Sequence, residues 1–174
     1  MKNTYDLLII GGGISSCVFA SEYLKNNFTS KIAIIEAGRG LGGRSSTRIS
    51  KKFNGWELDH GSPNLNICNK KNNKLLKNFI EELIANKFIK FDDSELIELS
   101  KDNRLGSIKN SEFSCCNNFL SLTSMSKLSQ NIIALNNLRN QIDFYFETLI
   151  LNLDFKKNKW NLTSNKGYTF KSKF

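Results

Sequence analysis

Three consecutive glycines, Gly11, Gly12 and Gly13, and an acid downstream of them, Glu36, are the residues whose types and spacing imply chemistry. A glycine turn that ends a strand and opens a helix leaves the first-turn amides of that helix bare. Such N–H groups sit at the positive end of the helix dipole and suit a pyrophosphate. Gly11 then makes the tight turn, Gly13 lacks a side chain where backbone must approach the ligand, and Ile14 and Ser15 follow with the bare amides. Ser16 takes the third fingerprint position, where glycine or alanine eases helix–strand packing; serine is small but weakens the match. Glu36 stands 20 residues beyond Ser16, the spacing at which an acid reaches a ribose hydroxyl, with Ala37 beside it.

The flanking residues supply the elements these groups need. Leu7 to Ile10 form an unbroken apolar run, as expected of a parallel strand covered on both faces. Ile14, Cys17, Val18, Ser21 and Leu24 recur at helical spacing and lie along one face. Ile32, Ile34 and Ile35 supply a second buried strand that Glu36 closes. The glycines alone would mark only a tight turn; strand, turn, helix, strand and acid together mark a dinucleotide site.

Residues 37–48 are rich in glycine and arginine and fit neither the helical nor the strand period. Their glycines let backbone pass near a ligand, and the guanidinium groups of Arg44 and Arg48 suit bidentate contact with phosphate. The competing reading is a flexible basic connector. Residues 56–61 read as a short extended segment leading to Ser62 and to Pro63, the only proline.

Taken in order, Gly11 to Gly13, Glu36, the run from Gly40 through Gly43 and Arg44 to Arg48, and Asp59-His60-Gly61-Ser62 resemble the successive motifs of FAD-dependent amine-oxidase-type flavoproteins, closest to the renalase-like branch. The resemblance spans about the first 65 residues and fades beyond them. It implies FAD as cofactor, with Glu36 on the adenosine ribose and Gly43 and Arg44 along the pyrophosphate. It also implies that His60, Gly61 and Ser62 approach the flavin ring and that backbone near Leu149 faces the adenine. The implied reaction is hydride transfer from an organic donor, a reduced nicotinamide derivative or an amine, to the flavin.

Downstream, Leu75, Leu76, Phe79, Ile80, Leu83 and Ile84 mark an amphipathic helix, followed by a strand over 88–91 and a weakly alternating segment over 95–99. Ser124 stands where it can cap a helix carrying Leu128, Ile132, Leu135 and Leu138. Ile142, Phe144 and Phe146 alternate as a strand. Residues 149–155, 159–163 and 168–170 then read as an antiparallel meander with turns at 156–158 and 165–167. The expected fold is α/β: a Rossmann-like FAD-binding βαβ unit with an inserted β-meander, plus an incomplete α+β substrate-domain segment. Residues 1–65 and 122–174 are assigned to the FAD/NAD(P)-binding domain, incomplete at its C-terminal side, and 66–121 to the start of a substrate or cap domain. The resembling enzymes continue for roughly as many residues again, so a truncated product or one half of a split enzyme is expected.

Composition bounds the alternatives. With 25 Lys and Arg against 16 Asp and Glu the chain is basic, but its lysines are scattered among asparagines and form no aromatic-interleaved stripe, which argues against a nucleic-acid partner. Cys17, Cys68, Cys115 and Cys116 have no zinc-ligand spacing and read as reduced thiols, the vicinal pair included. No metal site is expected. No apolar run approaches the roughly 20 residues that span a bilayer, and Met1 to Asp6 lead straight into the first strand, so a cytoplasmic protein without membrane contact is expected. His60, the sole histidine, is a candidate base, although beside Asp59 an imidazole more often satisfies local hydrogen bonds. Glu57 and Asp59 fall on one face of an extended segment without the nucleophile or metal that a hydrolase would need. Besides an FAD-dependent oxidoreductase acting on a small molecule, three readings stay open: a non-catalytic nucleotide-binding remnant, a half completed by a second polypeptide, and a Rossmann-like methyltransferase.

Overall fold

The computed structural model describes residues 2–68, 73–93, 97–99, 105–107 and 116–174. They pack as two units, residues 1–61 with 124–174 and residues 62–123. In chain order the first strands and helix are β1 (Lys2–Tyr5), β2 (Leu7–Ile10), α1 (Ile14–Asn26) and β3 (Ile32–Ile35). Next come β4 (Thr47–Ser50), β5 (Trp56–Asp59), β6 (Leu65–Cys68), α2 (Lys74–Ala85) and β7 (Ile89–Phe91). They are followed by β8 (Ile97–Leu99), β9 (Leu105–Ser107), β10 (Cys116–Ser121) and α3 (Met125–Ala134). The chain finishes with β11 (Ile142–Tyr145), β12 (Ile150–Lys156), β13 (Lys159–Ser164) and β14 (Thr169–Ser172).

In the first unit, β2, β3 and β11 form a parallel sheet with β3 in the middle, its four residues buried. Alternation sends Ala33 and Ile35 to one face, where they join Tyr5, Leu162 and Phe170 in a core cluster beneath the meander. Cys17, Ala20, Ser21 and Leu24 of α1 are buried, as are Leu128, Ser129 and Ile132 of α3, and the two helices pack together. The meander β12–β13–β14 is antiparallel, and β14 also pairs in parallel with β1. Lys157 and Asn158, between β12 and β13, have φ of 53° and 57°, the mirror-image turn that suits a two-residue hairpin. Beyond β14, the Phe174 carbonyl accepts the Leu8 amide at 2.9 Å, so the chain steps onto the outer edge of β2. The Tyr5 hydroxyl donates to Asp143 Oδ2 at 2.7 Å and lies 2.7 Å from the Tyr145 hydroxyl.

The second unit has an antiparallel sheet with β10 between β6 and β7, and α2 buries Ile80 and Leu83. Its helix begins at Asn73, whose side chain accepts the Leu76 amide at 3.2 Å. Strands β8 and β9 pair as a separate ribbon.

Several elements depart from the sequence reading. Residues 47 and 48, the end of the segment read as irregular, open a strand, because Thr47 to Ser50 find a partner in Trp56 to Asp59 that their sequence does not advertise. Strand β1 is polar and owes its extension to β14. The helix expected to run to Leu138 stops at Ala134 and tightens into a 3₁₀ segment, Leu135–Gln141. Of the segment 95–99, residues 97–99 form β8 and the remainder lies outside the described residues, as does Cys115. Cys68 ends β6 and Cys116 begins β10.

Candidate functional site

Gly11 follows β2 with φ of +97°, a conformation that favours glycine, and its amide still donates to the Ile35 carbonyl at 2.8 Å. Gly13 is the N-cap of α1, and with no side chain to cap the helix, the amides of Ile14 and Ser15 lack partners within it. A Cβ built on Gly11 or Gly13 meets nothing within 4 Å, so the helix mouth opens onto free space. Gly12 is different: a Cβ there would stand 2.8 Å from Leu41 Cδ2 and 3.2 Å from Glu36 Oε2. The middle glycine therefore serves close packing, a role that its place in a glycine triplet could have signalled.

Glu36 reaches this turn from the tip of β3. Its Oε2 accepts the Gly12 amide and its Oε1 the Gly38 amide, each at 2.5 Å. The carboxylate thus shares one mouth with the start of α1. Each carboxylate oxygen has more than one lone pair, so capacity remains for a ligand hydroxyl.

The glycine–arginine loop docks on the same turn. The Gly42 amide donates to the Gly12 carbonyl at 2.9 Å, Gly13 and Gly42 form an isolated parallel bridge, and a Cβ on Gly43 would lie 3.3 Å from Gly13 Cα. Arg44 is exposed on the 3₁₀ turn Gly43–Ser45 that follows, while Arg48 is exposed on β4. Gly61 is held against this turn so closely that a Cβ would fall 1.9 Å from the Arg44 carbonyl oxygen. The neighbouring His60 amide donates to Ser46 at 3.3 Å, and its Nε2 is 3.4 Å from Ser46 Oγ. The structure therefore brings Gly11, Gly13, Ile14, Ser15, Glu36, Ala37, Gly43, Arg44, His60 and Gly61 into one connected set of segments within the first unit. Ser62 belongs to the other unit, where its hydroxyl donates to the Asn64 carbonyl at 2.8 Å.

The acids of β5 face the start of α3. Asp59 Oδ1 accepts the Met125 amide at 3.1 Å and the Thr47 hydroxyl at 2.5 Å, and Thr47 Oγ1 in turn accepts the Ser126 amide at 3.1 Å. Ser124 holds the N-cap position but its side chain makes no capping bond to the helix. The cap comes instead from a distant strand, where a carboxylate also complements the helix dipole. Glu57 pairs with Lys127 at 2.6 Å; that hydrogen bond, with the ammonium charge and a smaller contribution from Ser124, holds its carboxyl below the usual range. Both acids anchor a helix, a role that the sequence does not signal.

Leu149 comes close to Glu36 through its neighbours. The Glu147 amide donates to Gly38 at 2.8 Å and the Thr148 amide to Glu36 at 2.9 Å. Both main-chain groups of Leu149 are engaged by Asn165: its amide donates to Oδ1 and its carbonyl accepts the Asn165 amide, each at 2.9 Å. Burial pushes the Cys17 thiol, behind the turn, up to about 12, which keeps it a neutral and unreactive thiol.

Residues 9–83 match the family described as NAD(P)-binding Rossmann-like domain. The fold is Rossmann-like. Putrescine oxidase bound to putrescine shares this fold with a TM-score of 0.66 at 10% identity, over 99% of this chain and 57% of the oxidase. A double mutant of putrescine oxidase, from a redesign of its cofactor binding, gives a TM-score of 0.65 at 11% identity. Cyclohexanone monooxygenase from Rhodococcus sp. Phi1 bound to NADP+ gives 0.51 at 12% identity, over 100% of this chain and 25% of the enzyme. The Rossmann-like chain thus spans little more than half the length of the oxidases, 57%. No curated protein matches it in sequence. Among the described residues, no helix is long and apolar enough to cross a membrane.

Proposed function

We propose that this chain is the FAD-binding part of a renalase-like oxidoreductase. One observation carries the reading: the Glu36 carboxylate, the bare start of α1 and the docked Gly42–Gly43 loop converge on one open mouth. The free space before Gly11 and Gly13 is the cradle that a pyrophosphate needs, and the chemistry of the donors fits it. Ile14 and Ser15 amides would hold the phosphates, Arg44 would add positive charge, and Glu36 would hold the ribose. When bound, FAD supplies the redox chemistry, with a reduced nicotinamide derivative or an amine as the donor class that the resemblance implies. The acids and the imidazole near the turn serve structure: Asp59 and Glu57 hold α3, and His60 bonds Ser46. Cytoplasmic residence accords with this reading.

The test is a flavin titration of the wild-type protein and of Gly13→Val. Gly13 has φ of −74° and ψ of 173°, which valine adopts, and its Cβ would meet no protein atom within 4 Å. The variant should therefore fold and melt like wild type yet fail to retain FAD. Normal flavin loading in Gly13→Val, or a wild-type protein that stays colourless with added FAD, would refute the reading. If the protein binds S-adenosylmethionine and not FAD, a methyltransferase replaces it.

A second reading, a half completed by another polypeptide, draws on the outer edge of β2. Phe174 pairs there with Asp6 and Leu8, and beyond it Ile10 is 55% exposed. Flavin retention that rises on co-expression with the product of the neighbouring reading frame would favour it, and stoichiometric FAD on this chain alone would count against it.

A further inference from the structure

A separate cavity of about 160 Å³ opens between the 39–41 loop, α3, the 3₁₀ segment and β11. Its lining includes neither the glycine turn nor Glu36. Arg39 and Arg139 stand at its wall, and Leu41 and Ile133, both buried, form an aliphatic surface. Phe144 and Phe146 line it too, their rings stacked with centroids 5.7 Å apart and planes within 12°, and Gln130 of α3 adds a polar amide.

Among the described residues, neither guanidinium is paired with a carboxylate. Two unpaired like charges on one small cavity repel, and an anion between them removes that cost. Guanidinium forks favour a planar oxyanion held by paired hydrogen bonds. The aromatic and aliphatic walls need something flat and apolar. The volume of about 160 Å³ has room for one six-membered ring, since a cavity of about 150 Å³ admits benzene.

We propose that this cavity binds a small acid made of a single flat ring carrying a compact oxyanion, at a site separate from the dinucleotide mouth. The proposal does not depend on FAD. The probe is para-fluorobenzoate, followed by fluorine NMR line broadening on the full chain without FAD. Wild-type protein should broaden the signal, and Arg39→Gln and Arg139→Gln should each weaken binding about ten-fold or more, because each removes a charge-assisted bond. Both arginines are exposed, so unchanged melting curves should accompany the loss. Lys159→Gln, at a different cavity, should bind like wild type. Absence of broadening, equal broadening in the arginine variants, or equal loss in Lys159→Gln would overturn the site. Displacement of the probe by equimolar inorganic phosphate would overturn the ring requirement, and displacement by FAD would make the cavity part of the dinucleotide site. Failure of FAD to bind at all leaves the fluorobenzoate result standing, so the two readings fail separately.

Discussion

Replacing Glu36 by alanine tests whether one carboxylate organises the turn before any ligand arrives. Its two oxygens take the Gly12 and Gly38 amides at 2.5 Å each. A hydrogen bond to a charged group contributes about 1.5–3 kcal/mol, and leaving a buried donor unsatisfied costs about 1–3 kcal/mol. Gly12 is buried and loses its partner, whereas Gly38 is exposed and regains water, so the Gly12 bond dominates. The low end of each range applies to a half-buried carboxylate, which gives about 2–3 kcal/mol in all. For a chain of this size that lowers the melting temperature by about 4–12 °C. Glu36→Gln keeps one acceptor oxygen and should lose about half as much. Thermal unfolding by circular dichroism reads the stability, and a flavin-fluorescence titration reads the ligand. The alanine variant should also bind FAD about 10- to 150-fold more weakly through the lost ribose contact. If it melts within about a degree of wild type and binds FAD equally, Glu36 neither holds the turn nor belongs to the site.

Other perturbations follow from the same geometry. Gly61→Ala drives a Cβ to within 1.9 Å of the Arg44 carbonyl oxygen, so backbone must move; a loss of about 1–3 kcal/mol or more is expected in urea unfolding, and an unchanged midpoint would contradict the packing. Asp59→Ala removes the cap of α3 and should cost about 1–2 kcal/mol, with Asp59→Asn largely preserving stability by the same measurement. Alkaline pH should destabilise the fold through Cys17. Its ordinary value of 9.0 is pushed up to about 12 by burial, so in that window the unfolded chain has shed a proton that the folded chain keeps. The contribution of Cys17 is therefore complete below pH 9 and falls as pH rises, by about 1.4 kcal/mol per unit. Burial and the hydroxyl and carboxylate of Tyr145 and Asp143 raise Tyr5 as well, so Cys17→Ala should remove the thiol part of the slope and leave the phenolic part. An identical slope in Cys17→Ala would refute the assignment.

What the sequence disclosed was local. Ile32 to Ile35 and the glycines announce themselves because burial on both faces and backbone conformation each demand particular residues at adjacent positions. Leu7 to Ile10, equally apolar, is instead an edge strand with only Leu7 buried and Ile10 55% exposed, not the strand covered on both faces that its run implies. The two meander turns were legible for the same reason. What stayed hidden depends on partners far along the chain. Thr47 to Ser50 carries no apolar alternation, and its strand exists because β5 pairs with it. Asp59 caps a helix that starts 66 residues later, so only the folded chain shows why that acid is there. Asn165 occupies both main-chain groups of Leu149 from across the meander, a contact with no local signature.

The parallel pairing of Lys2 with Thr169 has a consequence for synthesis. Strand β1 cannot find its neighbour until Thr169–Ser172 has left the ribosome, so it waits far longer for a partner than β2 does for β3. Loop entropy makes such long-range closure slow. Until then the nascent chain exposes a bare strand edge, and a chaperone that shields extended segments should raise the yield of native protein more than one that acts after release.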